Sequence, residues 1–273
     1  MSSATKSLLA FFFCCAAPLV AATAELRVCA DPNNLPYSNQ QQQGFENELA
    51  QLVARDLGVS LSYFWFPQRH KFFRNTLLAG ACDVVMEVPT GIDVASTTVP
   101  YYRSIYVFVS RRDRGLHIRS FDDPQLKSLR IGVHVTGEND DRVPSTTALL
   151  KRGLVGNLEG YDIFGKLSEQ NPAGDIVRAV ADKTIDVAVV WGPLGGYFAN
   201  RSSAPLEATP VCPSPLDQQI PLSFDISMGV RRGNDALRDK LNSFIARHRS
   251  DIRHLLDSYS VPLVSAQGGQ CQK

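Results

Sequence analysis

Two hydrophobic rhythms alternate along the chain, and their order predicts strands and helices in turn. An apolar run at 26–30 ends in Asp31-Pro32-Asn33-Asn34-Leu35-Pro36-Tyr37, whose prolines and asparagines block a regular element. A strand therefore opens into a loop at its carboxyl end. Phe45, Leu49, Leu52, Val53 and Leu57 recur at helical spacing, and Gly58 stops the pattern as the residue just past a helix end. Positions 61–66 read as a second strand, 72–78 as a second helix stopped near Gly80, and 83–86 as a third strand. Strand and helix alternating in this order is the pattern of a parallel sheet covered on both faces. A longer strand, 104–110, runs into Arg111-Arg112-Asp113-Arg114-Gly115, which reads as a solvated turn.

The same grammar restarts beyond that turn. Positions 129–134 read as a strand, 146–152 and 175–182 as helices, and 185–191 as a buried strand. Gly192-Pro193-Leu194-Gly195-Gly196 reads as a turn with close packing, because its spacing is not that of a dinucleotide-binding loop. A strand at 223–231 crosses back. Helices at 237–248 and 252–259 follow, with Leu241, Phe244, Ile245 and Ile252, Leu255, Leu256 as their apolar stripes. The expected fold is α/β with two lobes, each a mostly parallel sheet flanked by helices, joined by a two-strand hinge. Lobe I would take 25–108 and 223–264, lobe II 109–222, and 265–273 would be a Gln- and Gly-rich tail.

The first residues change the picture of where this chain works. One cation, Lys6, precedes an apolar run at 8–20 and the small-x-small triplet Ala22-Thr23-Ala24, the pattern of a secretory signal peptide cut after Ala24. That run is shorter than the ~20 residues of a membrane span. A soluble, exported, periplasmic protein without a membrane anchor is expected, with Cys14 and Cys15 discarded in the leader. Losing Lys6 leaves basic and acidic residues balanced, which argues against a nucleic-acid partner. The remaining Cys29, Cys82, Cys212 and Cys271 form an even set in an oxidising compartment and allow three pairings. Cys29 closes the first strand and Cys82 opens the third, neighbours in a doubly wound sheet, so that pair is sterically allowed and Cys212 with Cys271 would remain. No histidine or cysteine spacing matches a metal site.

Several phrases of this sequence carry a family resemblance. They are Leu26-Arg27-Val28-Cys29-Ala30-Asp31-Pro32-Asn33-Asn34-Leu35-Pro36, Gly44-Phe45-Glu46-Asn47, Pro67-Gln68-Arg69, Arg74-Asn75-Thr76-Leu77, Pro100-Tyr101-Tyr102-Arg103-Ser104, Arg130-Ile131-Gly132-Val133-His134 and Val189-Val190-Trp191-Gly192-Pro193-Leu194. The mature chain resembles type II periplasmic binding proteins of the extracellular solute-binding family 3. Within them it is similar to the MxaJ/XoxJ-like J proteins of methanol oxidation, the quinoprotein dehydrogenase-associated substrate-binding proteins. The resemblance implies a partner, a PQQ-dependent alcohol dehydrogenase with its cytochrome c. It also implies an accessory role in that enzyme's maturation or activation; separately, no cofactor of the protein's own and a monomeric state are expected.

Comparison with amino-acid receptors of that fold yields the sharpest chemical expectation. Such a receptor clamps the α-carboxylate with an Arg and the α-amine with an Asp, because charges buried on closure must be paired. Counting back from Pro100-Tyr101-Tyr102 puts Gly91 at the first position, and Trp191 stands at the second. Both anchors are replaced, so a free amino acid is not the expected ligand. Glu87 and Pro89 stand where small residues are expected and would reshape the cleft mouth.

Other residues compete for the cleft. Asp31, Asn33, Asn34 and Tyr37 lie in the loop after the first strand, Thr90 and Tyr102 near the turn after the third, and Trp191 at a parallel strand's carboxyl end, where open α/β sheets bind ligands. Arg69 and Arg103 are rim candidates because only Arg offers a rigid bidentate fork. His134 with Gly137 could line an anion nest, although a single histidine at a strand end is usually structural. The aromatics at 63–66 and 72–73 read as core. Glu87 is the only acid this reading poises in the cleft for general acid or base work, and one carboxylate without a partner does not make an enzyme. The alternative to the accessory role is a receptor that hands a small non-amino-acid solute to an ABC permease.

Overall fold

The computed structural model describes residues 24–136, 143–166 and 169–265. β1 (Glu25–Ala30) opens into a loop that holds two short paired strands, β2 (Asn33–Asn34) and β3 (Ser38–Asn39). α1 (Phe45–Leu57) begins at Gly44 and ends on Gly58, whose φ of 65° is the left-handed geometry that glycine adopts without steric cost. β4 (Ser60–Trp65), α2 (Phe72–Asn75), β5 (Val84–Pro89), β6 (Ser96–Thr97) and β7 (Tyr102–Arg111) follow. Then come β8 (Ile131–Val135), α3 (Pro144–Leu150), β9 (Leu158–Asp162), α4 (Asp175–Ala181) and β10 (Val187–Trp191). The chain closes with α5 (Gly192–Arg201), β11 (Leu206–Pro210), β12 (Ser223–Val230), α6 (Asp235–Arg247) and α7 (Arg249–Ser258).

One continuous sheet runs in the order β4-β1-β5-β12-β7-β10-β8-β9, with β6 on β12 and β11 on β7. Pairing is parallel within β4-β1-β5 and within β10-β8-β9, and antiparallel wherever β12 or β7 takes part. β7 joins the two halves: Tyr102 to Ile105 pair with β12, while Tyr106 to Arg111 pair with β10 and β11. The parallel strands are covered on both faces, which is why Val187-Ala188-Val189-Val190 is continuously apolar and fully buried. Phe45, Leu49 and Val53 of α1 pack with Phe244 and Ile245 of α6 and with Ile252 and Leu256 of α7 in the core of the first half. The second half has its own cores, around Phe108, Phe121 and Leu149 on one face and Ile176, Val180 and Val190 on the other.

Four elements differ from the sequence expectation. The helix expected over 72–78 stops after one turn, where Thr76 leaves helical geometry at φ −118° and ψ −90° and its hydroxyl donates to the Phe72 carbonyl at 2.7 Å. This side-chain bond competes with helix continuation. The glycine-rich 192–196 stretch is the start of α5 rather than a turn, with Pro193 in the first helical turn, where a missing N–H costs nothing. Gly196 is needed there by close approach, since a Cβ would strike the Ser260 carbonyl. β9 and β11 were not anticipated; β9 lies at the sheet edge, mostly exposed, and so lacks an apolar alternation.

Cys29 and Cys82 are bridged, with Cα atoms 5.4 Å apart, because β1 and β5 are neighbours. Cys212 is also disulfide-bonded, and its partner lies outside the described residues, as Cys271 does. The expected signal peptide, apart from Ala24, and the tail beyond Ser265 likewise fall outside them. No helix among the described residues is long and apolar enough to cross a membrane.

Candidate functional site

Two adjoining cavities lie between the halves of the sheet, at the carboxyl ends of β1, β5 and β10. The outer one, about 360 Å³, is lined by Asp31, Asn33, Asn34 and Arg69 on one side and by Phe164, Lys166, Pro172 and Leu194 on the other. An inner one of about 220 Å³ is lined by Glu46, Pro89, Phe224 and Ile226. Tyr37, Gln68, Glu87 and Trp191 face both. This is the crevice outside the strand ends where open α/β sheets bind ligands.

The loop after β1 is held by its own acid. Asp31 accepts the Asn33 N–H at 2.8 Å and the Gln68 N–H at 2.5 Å, tying that loop to the chain after β4. Burial pushes the Asp31 carboxyl up, and these two bonds oppose the shift. From this platform two side chains reach the opposite half. Asn33 donates its amide N–H to the Glu169 carbonyl at 2.5 Å and accepts the Asn171 N–H at 3.1 Å. Arg69 donates to the Phe164 and Gly165 carbonyls at 2.8 and 2.9 Å, with its guanidinium 5.9 Å from the Phe164 ring centre. These bonds latch the crevice shut over the cavities.

Deeper in, the chemistry is acidic and aromatic. Glu87, near the end of β5, accepts the Tyr102 hydroxyl at 2.7 Å and also a hydrogen bond from the Trp191 side chain. Burial pushes its carboxyl up to about 8, against the effect of those two donors. Glu46 sits in the first turn of α1 and is 7% exposed. Its carboxyl is raised well above the ordinary range, first by burial and then by the negative charges of Glu87 and Asp31. The helix dipole at the start of α1 favours a negative charge and works in the opposite direction. Tyr37, Tyr101 and Tyr102 are raised by burial and by Glu87, so their phenols stay protonated; Tyr101 donates to the Met86 carbonyl at 3.0 Å and Tyr102 to Glu87. The Trp191 ring stands edge-on to Tyr106 at 5.5 Å and to Phe224 at 5.6 Å.

The structure brings Asp31, Asn33, Asn34, Tyr37, Arg69, Glu87, Pro89 and Trp191 to the cavities, and Tyr102 reaches them through Glu87. Three candidates lie elsewhere. Thr90 is turned to β12, donating to the Asp225 carbonyl at 3.0 Å and lying 2.7 Å from the Ser227 hydroxyl. Arg103 is spent on Asp225 at 2.8 Å and Ser223 at 2.9 Å where β7 pairs with β12. His134 is buried against the Ala173 carbonyl at 3.1 Å, and burial holds its imidazole down to about 4, so it is a neutral structural residue; Gly137 of the expected nest lies outside the described residues. Gly91 occupies an exposed turn with φ 80° and does not line either cavity. Tyr63 and Trp65 stack on each other at 4.7 Å, and Phe72 is buried in a small core beside the Cys29–Cys82 bridge.

Sequence reasoning missed Glu46, which makes Glu87 one of two acids lining the inner cavity rather than one without company. It also missed Gln68, Phe224 and Lys166. A signal for Glu46 was present: a Gly N-cap beside an acid in the first turn of the helix that follows the loop at the end of β1. Among the described residues no group of three or more His, Cys, Asp or Glu side chains is placed to hold a metal ion.

Residues 26–261 match the family model of bacterial extracellular solute-binding proteins, family 3. The chain is 31% identical to protein MoxJ of Methylorubrum extorquens over 88% of its length and 81% of that protein. It is similar to the periplasmic binding protein XoxJ of Methylobacterium extorquens AM1, at 36% identity and a TM-score of 0.72 over 88% of this chain and 99% of that one. MxaJ of Methlophaga aminisulfidivorans gives 26% identity and a TM-score of 0.72, over 88% and 100%. With its crevice between two sheet halves joined by β7 and β12, the chain belongs to family 3 of the bacterial extracellular solute-binding proteins, has the type II periplasmic binding-protein fold, and within that family is MxaJ/XoxJ-like.

Proposed function

We propose that this protein is a non-catalytic periplasmic accessory protein for a PQQ-dependent alcohol dehydrogenase, and that it holds an exposed segment of that enzyme in the crevice during maturation or activation. The partner comes from the resemblance to the J proteins. The observation that carries the reading is the replacement of both amino-acid anchors. Gly91 stands on an exposed turn with no side chain to offer, and Trp191 presents an indole to both cavities where a receptor would present a carboxylate. A pocket with one apolar aromatic wall suits a side chain on a peptide segment better than a free zwitterion, whose two charges would each need a buried partner. The latch is compatible with opening, since its hydrogen bonds are individually worth only ~1 kcal/mol net.

The test is affinity purification of the mature protein from the periplasm of its own host grown on an alcohol, with every retained protein identified by mass spectrometry. A stoichiometric quinoprotein dehydrogenase, lost with Trp191→Ala, is the expected result. Recovery of the protein with a small molecule and no dehydrogenase would replace this reading with that of a solute receptor for an ABC importer.

A further inference from the structure

The inner cavity is lined by a carboxyl group that no described residue satisfies. Glu46 is 7% exposed and lines this cavity, yet no hydrogen bond or ion pair to its carboxyl is present among the described residues. Buried carboxyls are normally paired, because desolvation is costly without a compensating donor. Glu87 faces the same space, but its Oε2 already takes the Tyr102 hydroxyl. Trp191 and Phe224 line the same space, and among the described residues no Lys or Arg does. Arg69 and Lys166 reach only the outer one, where Arg69 is committed to the Phe164 and Gly165 carbonyls.

We propose that the inner cavity is a binding site for a protonated amine, whose N–H groups donate to Glu46 while its positive charge lies between Glu46 and Glu87 against the Trp191 and Phe224 rings. Each part of the lining favours that chemistry. An unpaired buried acceptor calls for a donor, two neighbouring carboxyls call for a cation, and an indole face attracts one. A hard divalent metal ion is a poorer match, since it takes six or more oxygen ligands and two carboxyls flanked by aromatic rings do not supply them. At about 220 Å³ the space exceeds the ~150 Å³ cavity that accepts benzene, so an alkylammonium group of comparable size fits. The amine has two sources, a free alkylamine or a lysine side chain on a bound segment, and the second rests on the partner reading above.

Binding should be coupled to proton release. The titratable groups facing Glu46 are Glu87 from β5, Asp31 from the loop after β1, and Tyr37, Tyr63 and Tyr101 around it. None supplies a positive charge, and burial raises both carboxyls, so an arriving ammonium would favour their ionised forms and draw protons off.

Isothermal titration calorimetry of the purified mature protein tests this with four probes: n-butylammonium, Nα-acetyl-lysine N-methylamide, 1-butanol and tetramethylammonium. One of the first two should bind at least tenfold more tightly than 1-butanol. Tetramethylammonium, a cation without N–H groups, should be weaker. Observed heats should vary with the buffer's ionisation enthalpy, and Glu46→Gln should cost tenfold or more. Should that variant fold poorly, Glu87→Gln and the wild-type contrast between butylammonium and butanol carry the same test. Tighter binding of butylammonium assigns a free amine, and tighter binding of the capped lysine assigns a bound segment. Cations no better than butanol, or binding unchanged by Glu46→Gln, would overturn the proposal. A dehydrogenase retained by a protein that binds no amine sinks this inference alone, whereas amine binding without retention sinks the partner reading alone.

Discussion

The two halves of the sheet contribute to the crevice in different currencies. The half built on β4-β1-β5-β12 supplies side-chain chemistry: Asp31, Asn33, Glu46, Gln68, Arg69 and Glu87. The half built on β10-β8-β9 supplies backbone acceptors at Phe164, Gly165 and Glu169 and an apolar wall at Trp191 and Leu194. The first half therefore brings the carboxyls and the latch donors, and the second the latch acceptors and the apolar wall. Each half also solves a different stability problem. The first buries polar groups next to its binding surface and is stapled by the Cys29–Cys82 bridge, while the second buries the Arg152–Asp217 pair, which lines neither cavity.

That pair offers the strongest way to break the comparison. Arg152 is 7% exposed and donates to Asp217, fully buried, at 2.7 and 3.1 Å, and to Asp122 at 2.6 Å. Removing one partner of a buried pair strands the other, so Arg152→Ala should cost ~3–5 kcal/mol in urea unfolding. The first half should then retain hydrogen-exchange protection longer than the second. Next in size is the bridge, which spans a separation of 53 residues. Its loss in the Cys29→Ser, Cys82→Ser variant should lower unfolding stability by ~2–4 kcal/mol, and a change under ~1 kcal/mol would mean that β1 and β5 hold register without it.

A titration sharpens the contrast further. Glu87 carries a folded-state value of about 8 against an ordinary 4.5, so between those pH values the folded protein keeps a proton that the unfolded chain has released. Its contribution is fully present below about 4.5 and is lost as pH rises through about 8, at up to ~1.4 kcal/mol per pH unit. His134 acts with the opposite sign. Held down to about 4 from 6.5, it favours the folded state above 6.5 and loses that contribution as pH falls through about 4. Between about 6.5 and 8 His134 no longer contributes a slope, and the Glu87 limb runs in the same direction as those of Glu46 and His248, which are also raised. Chemical denaturation across that window should show falling stability in the wild type and a flatter profile in Glu87→Gln. The smallest effect is expected at the latch. Asn33→Ala or Arg69→Ala should each shift the closed-to-open balance by ~1 kcal/mol, read as a larger radius of gyration by small-angle scattering with little change in unfolding midpoint.

Much of the first half was legible because its signals are local. The apolar spacing of Phe45, Leu49 and Val53, the stop at Gly58 and the proline-broken loop after β1 each follow from a few neighbouring residues. The adjacency of Cys29 and Cys82 followed from the strand order expected of a doubly wound sheet. The second half was harder to read. β9 is an exposed edge strand, and α5 is written in glycines that look like a turn until the Ser260 backbone is seen packed against Gly196. Thr90, Arg103 and His134 are near the crevice in sequence logic, yet the pairing of β12 with β5 and β7 turns the first two to other partners, and Ala173 caps the third.

By itself the sequence determined the alternation of strands and helices and the buried parallel core, because each depends on residue type within a short span; the expectation that Gly91 and Trp191 replace amino-acid anchors came from the resemblance to receptors of that fold. Only the tertiary structure decided that the first turn of α1 faces the end of β5. That approach puts Glu46 and Glu87 around one cavity and leaves Glu46 without a partner among the described residues. Periodicity records which face of an element is buried but not which distant element covers it. The meeting of two carboxyls across a fold is set by sheet order and helix packing, and no local pattern contains it.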